Sequence, residues 1–216
     1  MEKLITFLRE ELSISDEKNI NAFSLYNELI LEWNSKINLI SRKQESIEKN
    51  ILDSIFFLAK HQLKGNENII DVGTGGGFPG IPLKIIYPDL RLTLLDSIQK
   101  KIIAVNDIIT KMGLSNTGTV RGRAEEKSKT NEFKGKYDIV IALAVSTLDN
   151  IYKWCNGFLK KEGYIICLKG GDISDELKAI DKLKTKIYVD VIEYTFINFQ
   201  DILPNKKAVI IKNKIQ

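Results

Sequence analysis

With 216 residues, 44% apolar and 28% charged, the chain has the make-up of one globular domain with a substantial core. No run approaches the ~18 apolar residues of a membrane span, and the opening MEKLITFLREEL lacks the basic-then-apolar layout of a signal peptide, so a cytoplasmic protein is expected. Two cysteines, Cys155 and Cys167, and one histidine, His61, exclude a disulfide framework and a four-ligand zinc site; no metal is expected, and a Ser-His-Asp triad has little to work with. The net charge of +4 is uneven: residues 1–64 hold nine Lys/Arg against ten Asp/Glu, and the remainder holds 23 against 18. That basic excess suits an anionic partner such as RNA, although scattered solvating lysines explain the same count.

In chain order, TFLREEL, EKNINAFSLYNELILEWN and ESIEKNILDSIFFLAKH read as helices, with Asp16 as N-cap of the second. They make residues 1–64 an N-terminal helical layer, and the turn GNEN separates it from a core over 65–216 with which it forms one compact unit. In the core NIIDVG, LRLTLLD, TGTVRG, YDIVIALA and GYIICLKG read as strands. Between them FPGIPLKIIYP, IQKKIIAVNDIITKMG and STLDNIYKWCNGFLKK, and after the last ISDELKAIDKLK, read as helices. Apolar strands alternating with helices predict a doubly wound, mostly parallel sheet. The final KIYVDVIEYTF and KKAVIIKN, joined by a loop with Pro204, predict an antiparallel hairpin at its edge and bring the strand count to seven.

The stretch DVGTGGGFPGIPL follows the first strand, where a doubly wound sheet binds ligands. Gly75, Gly77 and Gly80 satisfy G-x-G-x-x-G, and Asp96, 19 residues beyond Gly77, is placed to take ribose hydroxyls, as in a nicotinamide oxidoreductase. Against a dinucleotide, the carboxylate of Asp71 before Gly73 repels a pyrophosphate and suits a ligand bearing a sulfonium and an ammonium. Pro79 and Pro82 also remove helix-start N–H groups that a pyrophosphate uses. Five parallel strands with a terminal hairpin and no second substrate domain point to the class I (Rossmann-like) methyltransferase fold with S-adenosyl-L-methionine as cofactor.

DVGTGGGFPGIPL, LLDSIQKK, EWNSKINLIS, NILDS, GRAEE and LKG together resemble the bacterial glucose-inhibited division protein B family, from about Leu31 to Lys212. The resemblance implies a ribosomal small-subunit methyltransferase making 7-methylguanosine in 16S RNA, on the RNA or the 30S particle. It implies cofactor contacts at Gly73 and Phe78, ribose binding by Asp96, and an adenine border at Ala124 and Glu125. Lys100, Lys101 and Arg123 match basic positions facing cofactor or RNA. The chain departs from the family where Leu143 replaces an arginine, Asn50 a histidine, and Lys206 and Lys207 a late Arg-His pair. Leu143 opens a second reading, a catalytically weakened RNA- or cofactor-binding relative.

Methylation at the seven-position nitrogen of guanine needs no general base, so no catalytic residue is assigned and positioning is expected to dominate. Lys169, in LKGG on the ligand rim, joins Lys206 and Lys207 as a candidate RNA contact. Cys155 and Cys167 are expected to be buried and unreactive, Trp33 and Trp154 to lie in the core, and the protein to be a monomer.

Overall fold

In the computed structural model, which describes residues 1–41, 44–183 and 187–214, seven strands form one sheet in the order β3-β2-β1-β4-β5-β7-β6. The first five, β1 (Asn68–Val72), β2 (Arg91–Asp96), β3 (Thr117–Arg121), β4 (Tyr137–Leu143) and β5 (Leu159–Gly170), pair in parallel. The last two, β6 (Ile187–Tyr194) and β7 (Lys206–Asn213), are antiparallel, with β7 slotted between β5 and β6. The terminal hairpin therefore forms as expected, and only its first strand is a sheet edge.

Period-two alternation sends successive strand residues to two cores. Ile69, Leu92, Leu94, Ile139, Ile141, Ile166, Leu168 and Ile210 face one side. There they meet α1 (Glu2–Glu10), α2 (Glu17–Asn34), α3 (Glu48–Ile55), α4 (Gly80–Ile86) and α5 (Gln99–Met112), so the N-terminal layer and the nucleotide-type helices share one core. Ile70, Val72, Leu95, Val140, Ala142, Ile165, Cys167 and Val209 face the other side, against α6 (Ala124–Lys127), α7 (Leu148–Cys155) and α8 (Ser174–Asp181). Asp16 caps α2 as expected, its carboxylate accepting from the Lys18 N–H.

Three local readings are corrected. The helix expected to run through Lys161 ends at Cys155, passes through a 3-10 turn and gives way to β5 at Leu159. Leu159 pairs with Tyr137, and a register shift follows before Ile139 meets Tyr164. Gly163 lies where an added Cβ would come 2.9 Å from the Tyr137 carbonyl oxygen, which is why the chain needs glycine there. The run GRAEE, to which no element was assigned, contains the start of α6 at buried Ala124. The first helix begins at Glu2 rather than Thr6. Lys184 and Lys186, the end of one expected helix and the start of one expected strand, lie outside the described residues.

Phe7 ties the first helix to the segment after β6: it is fully buried, with its ring 5.2 Å from that of Phe196 and 5.3 Å from that of Phe199. Phe7→Ala should lower stability by about 3–5 kcal/mol, the usual cost of truncating a buried phenylalanine, read as a shift in the urea unfolding midpoint. A shift below about 1 kcal/mol would mean that the N-terminal layer is not cooperative with the core.

Candidate cofactor and substrate site

The loop after β1 is built around Asp71. Its carboxylate is fully buried, and Oδ2 accepts from the Thr74 hydroxyl at 2.7 Å and from the Gly80 N–H at 2.9 Å. Gly73 and Thr74 donate to the Leu95 carbonyl, and Gly77 and Phe78 to the Thr74 carbonyl. Gly73, Gly75 and Gly77 all have positive φ, and a Cβ at Gly73 would stand 2.8 Å from Val145, so the loop tolerates no larger residue there. A Cβ at Gly80 would strike Leu94 and Asp71.

This arrangement leaves the dinucleotide reading without donors. At the start of α4 the Gly80 N–H is bonded to Asp71, the Ile81 N–H to the Gly77 carbonyl, and Pro82 has none. A pyrophosphate would find no free helix-start N–H and a buried acid behind it.

Asp96, at the end of β2, is 7% exposed and holds the Gly75 N–H at 3.0 Å through Oδ2 and the Ile98 N–H at 2.9 Å through Oδ1. It borders a slot of about 100 Å³ lined by Gly73, Leu95, Asp96, Arg123, Glu125 and Trp154, among others. Apolar Leu95 and Val72, with Ala124 on the same wall, offer flat contact to a purine, and the carboxylate faces where a ribose would lie. Gly73, Asp96, Ala124 and Glu125, expected from the sequence, thus come together, and exposed Arg123 stands at their rim as the residue preceding α6.

Phe78 behaves differently. It is 8% exposed and packs on Tyr26 of α2, with ring centroids 5.3 Å apart. Tyr26, itself buried, donates to the Gly76 carbonyl at 2.9 Å, so the helical layer grips the loop from behind.

Next to the slot, and sharing Val145 with it, opens a cavity of about 720 Å³ at the ends of β4 and β5. Leu143, Ala144, Ser146, Leu168 and Lys169 line it from the sheet, Asn50, Asp53 and Phe56 from the helical layer, and Lys206 from β7. Two ion pairs stand in it. Lys206 Nζ lies 2.6 Å from Asp53 Oδ1, and Lys169 Nζ lies 2.8 Å from Glu176 Oε2 while also donating to the Ser146 carbonyl. Lys207, on the opposite face of β7, donates to the Gly171 carbonyl instead. Lys100 is exposed and Lys101 half-buried at the start of α5, on the side of the slot.

Sequence reasoning missed Trp154, expected in the core: it is half-buried and lines the slot. It also assigned no role to Asp53, although NILDS had been singled out. Trp33 is half-buried and donates to Asp107 at 2.8 Å, away from both cavities. Cys155 and Cys167 are buried; burial pushes both thiols up, that of Cys167 to about 12, which leaves them unreactive as expected. Among the described residues no cluster of His, Cys, Asp or Glu could hold a metal ion, and no helix is long and apolar enough to cross a membrane.

The slot is large enough to take only an edge of a nucleoside, and the buried carboxylate of Asp71, which lines neither cavity, lies behind it. Its Oδ1 is buried without a hydrogen-bond partner, an arrangement costly for a carboxylate alone and relieved by a cation. Burial pushes the Asp71 pKa up to about 8, with nearby Asp96 adding to the rise against the two hydrogen bonds.

Sheet order, loop and slot define a class I methyltransferase that uses S-adenosylmethionine. Similar solved structures share this fold: an O-methyltransferase from Bacillus cereus in complex with SAH superposes with a TM-score of 0.62 at 15% identity, over 98% of this chain and 97% of that one. The family model described as rRNA small subunit methyltransferase G, or GidB, matches residues 19–202, and the chain belongs to that family. Ribosomal RNA small subunit methyltransferase G of Lachnoclostridium phytofermentans is 39% identical over 80% of this chain and 74% of its own length. Its counterpart in Acetivibrio thermocellus is 38% identical over 93% and 83%.

The raised Asp71 pKa sets a pH dependence. The folded protein holds a proton that the unfolded chain, with the ordinary value of 3.8, has released, so this contribution to stability is full at low pH and lost as pH rises toward about 8. A cationic ligand favours the carboxylate, so S-adenosylmethionine affinity should rise across the same window with release of a proton. Calorimetry in buffers of different ionisation heat reads both, and Asp71→Asn should abolish the pH slope. An affinity independent of pH in the unsubstituted protein would place the ligand's cationic end elsewhere.

Proposed function

We propose that this protein transfers a methyl group from S-adenosylmethionine to the seven-position nitrogen of a guanine in 16S ribosomal RNA, as RNA or within the 30S particle. The observation that carries it is the pair of adjoining cavities sharing Val145: a narrow slot for the cofactor and a wider, charged cavity for a base. The names of the relatives supply the RNA. In this reading the protein acts as a monomer, with the helical layer and core working as one unit in the cytoplasm.

In this reading Asp96 takes the ribose hydroxyls, and Ala124, Glu125 and Trp154 border the adenine. Gly73 and Gly75 give the ligand close backbone approach, and Asp71 faces the methionine end. Phe78 acts through packing, holding the loop against Tyr26. Bound S-adenosylmethionine supplies a sulfonium methyl group. The guanine nitrogen would accept that methyl group through its lone pair as the carbon–sulfur pair returned to sulfur, and the positive charge would pass to the base. No proton leaves, so the protein needs alignment, a dry cavity and fixed charges rather than a base.

The arginine absent at Leu143 leaves an apolar wall, but two lysines remain in the cavity. Lys169 and Lys206 supply positive charge there, and this supports an active enzyme over a weakened relative. Lys100, Lys101 and Arg123 face outward beside the slot, where RNA phosphates would lie. Lys207 spends one of its three N–H donors on the Gly171 carbonyl and keeps the others for RNA.

Incubated with labelled cofactor and 30S particles from cells lacking the enzyme, the protein should transfer methyl to 16S RNA, and mass spectrometry should find 7-methylguanosine. Absence of transfer to both free RNA and particles would overturn the reading. Asp96→Ala should weaken cofactor binding by about 1.5–3 kcal/mol, the range for hydrogen bonds to a charged group, measured by calorimetry. A change under about twofold in dissociation constant would remove Asp96 from the site.

A further inference from the structure

We propose that the Asp53–Lys206 pair reads the Watson–Crick edge of the target guanine, with Oδ2 of Asp53 accepting from its ring N–H and exocyclic amino group and Lys206 donating to its six-position oxygen. The inference rests on the guanine reading above and adds what selects that base.

The two groups meet inside the base cavity, and both are withdrawn from solvent: side-chain exposure is 20% for Asp53 and 14% for Lys206. The second ion pair is already committed, because Glu176 Oε2 accepts the Leu148 N–H at 3.0 Å and Lys169 holds the Ser146 carbonyl, which together brace the loop after β4. Among the described residues no backbone N–H donates to Asp53. Its Oδ1 is buried against Lys206, while Oδ2 meets only the Lys49 ammonium, one turn earlier on α3, at 3.8 Å, too long for a hydrogen bond, so Oδ2 is the oxygen left for a ligand.

The chemistry of the pair matches one base. Guanine presents, in order along its pairing edge, an acceptor and two donors. With Oδ1 buried against the Lys206 ammonium at 2.6 Å, the pair presents a donor followed by one acceptor oxygen, Oδ2, which the two neighbouring guanine donors share. Adenine would turn an amino group toward Lys206 and a bare nitrogen toward Asp53, two mismatches in a desolvated cavity. A base held by this edge leaves its seven-position nitrogen, on the flank beside the six-position oxygen, free of the pair, and the slot adjoins the cavity at Val145. The cavity accommodates a single base rather than a duplex, so the guanine enters unpaired. As the methyl group arrives, positive charge spreads over the guanine ring and strengthens its N–H donors toward Asp53, so the contact should act more on kcat than on KM.

The test pairs a change in the RNA with a change in the protein. Once the methylated guanosine is mapped, 16S RNA is assembled by ligation with guanosine or inosine at that position; inosine lacks only the exocyclic amino group. The unsubstituted protein should methylate the inosine RNA about 5- to 150-fold more slowly, the span of a good bidentate base contact. Asp53→Asn should slow transfer to guanosine RNA by a similar factor, leave S-adenosylmethionine binding unchanged within about twofold, and show no further loss on inosine RNA. Equal rates on both RNAs with the unsubstituted protein would overturn the inference and leave the guanine reading standing. An inosine penalty that persists undiminished in Asp53→Asn would assign the carboxylate to holding Lys206 alone. Methylation of a base other than guanine would overturn the guanine reading itself, and the inference with it.

Discussion

A single buried oxygen, Oδ2 of Asp71, shapes the ligand edge of this protein. By accepting from Thr74 and from Gly80 it draws both ends of the glycine loop onto the first strand and takes the one helix-start donor that a phosphate would seek. The loop can then close only as a tight backbone turn, with glycine required where Val145, Ile81 and Leu94 crowd it. A motif that reads as a dinucleotide fingerprint therefore keeps its helix-start donors for itself, and the remaining carboxylate oxygen is left buried and unpaired.

The helical layer completes this edge. Tyr26 holds the loop through Gly76, burial and the nearby Asp71 charge keep its phenol well above the ordinary value, and it therefore serves as a permanent donor. The same layer supplies Asn50, Asp53 and Phe56 to the base cavity. The slot is lined by the strand ends and loops of the core alone, while the wall of the wider cavity is assembled partly from the helical layer. That division suits a common fold turned to a particular base, since the appended layer can vary without touching the cofactor loop.

Much of this was legible in the chain because it is local. Alternating runs mark all seven strands, and the loop, Asp96 and Ala124–Glu125 sit at strand ends that any doubly wound sheet turns toward ligand. Trp154 was not legible, since its helical spacing among apolar residues is the same whether the exposed edge of the ring meets solvent or a cofactor. Asp53 lies on a short helix, and its partner Lys206 is on the last strand; no spacing rule connects them, because the contact exists only after β7 slots in beside β5. The strand start at Leu159 failed for a different reason. The run FLKK has no period-two pattern, and its pairing with Tyr137 depends on a bulge that Gly163 makes possible.

The placement of β7 between β5 and β6 also fastens the cavity wall. Lys206 meets Asp53 only where β7 lies beside β5, so the ion pair ties the appended layer to a strand far along the chain. Loosening that pairing would open the cavity and leave the strand ends around the glycine loop in place.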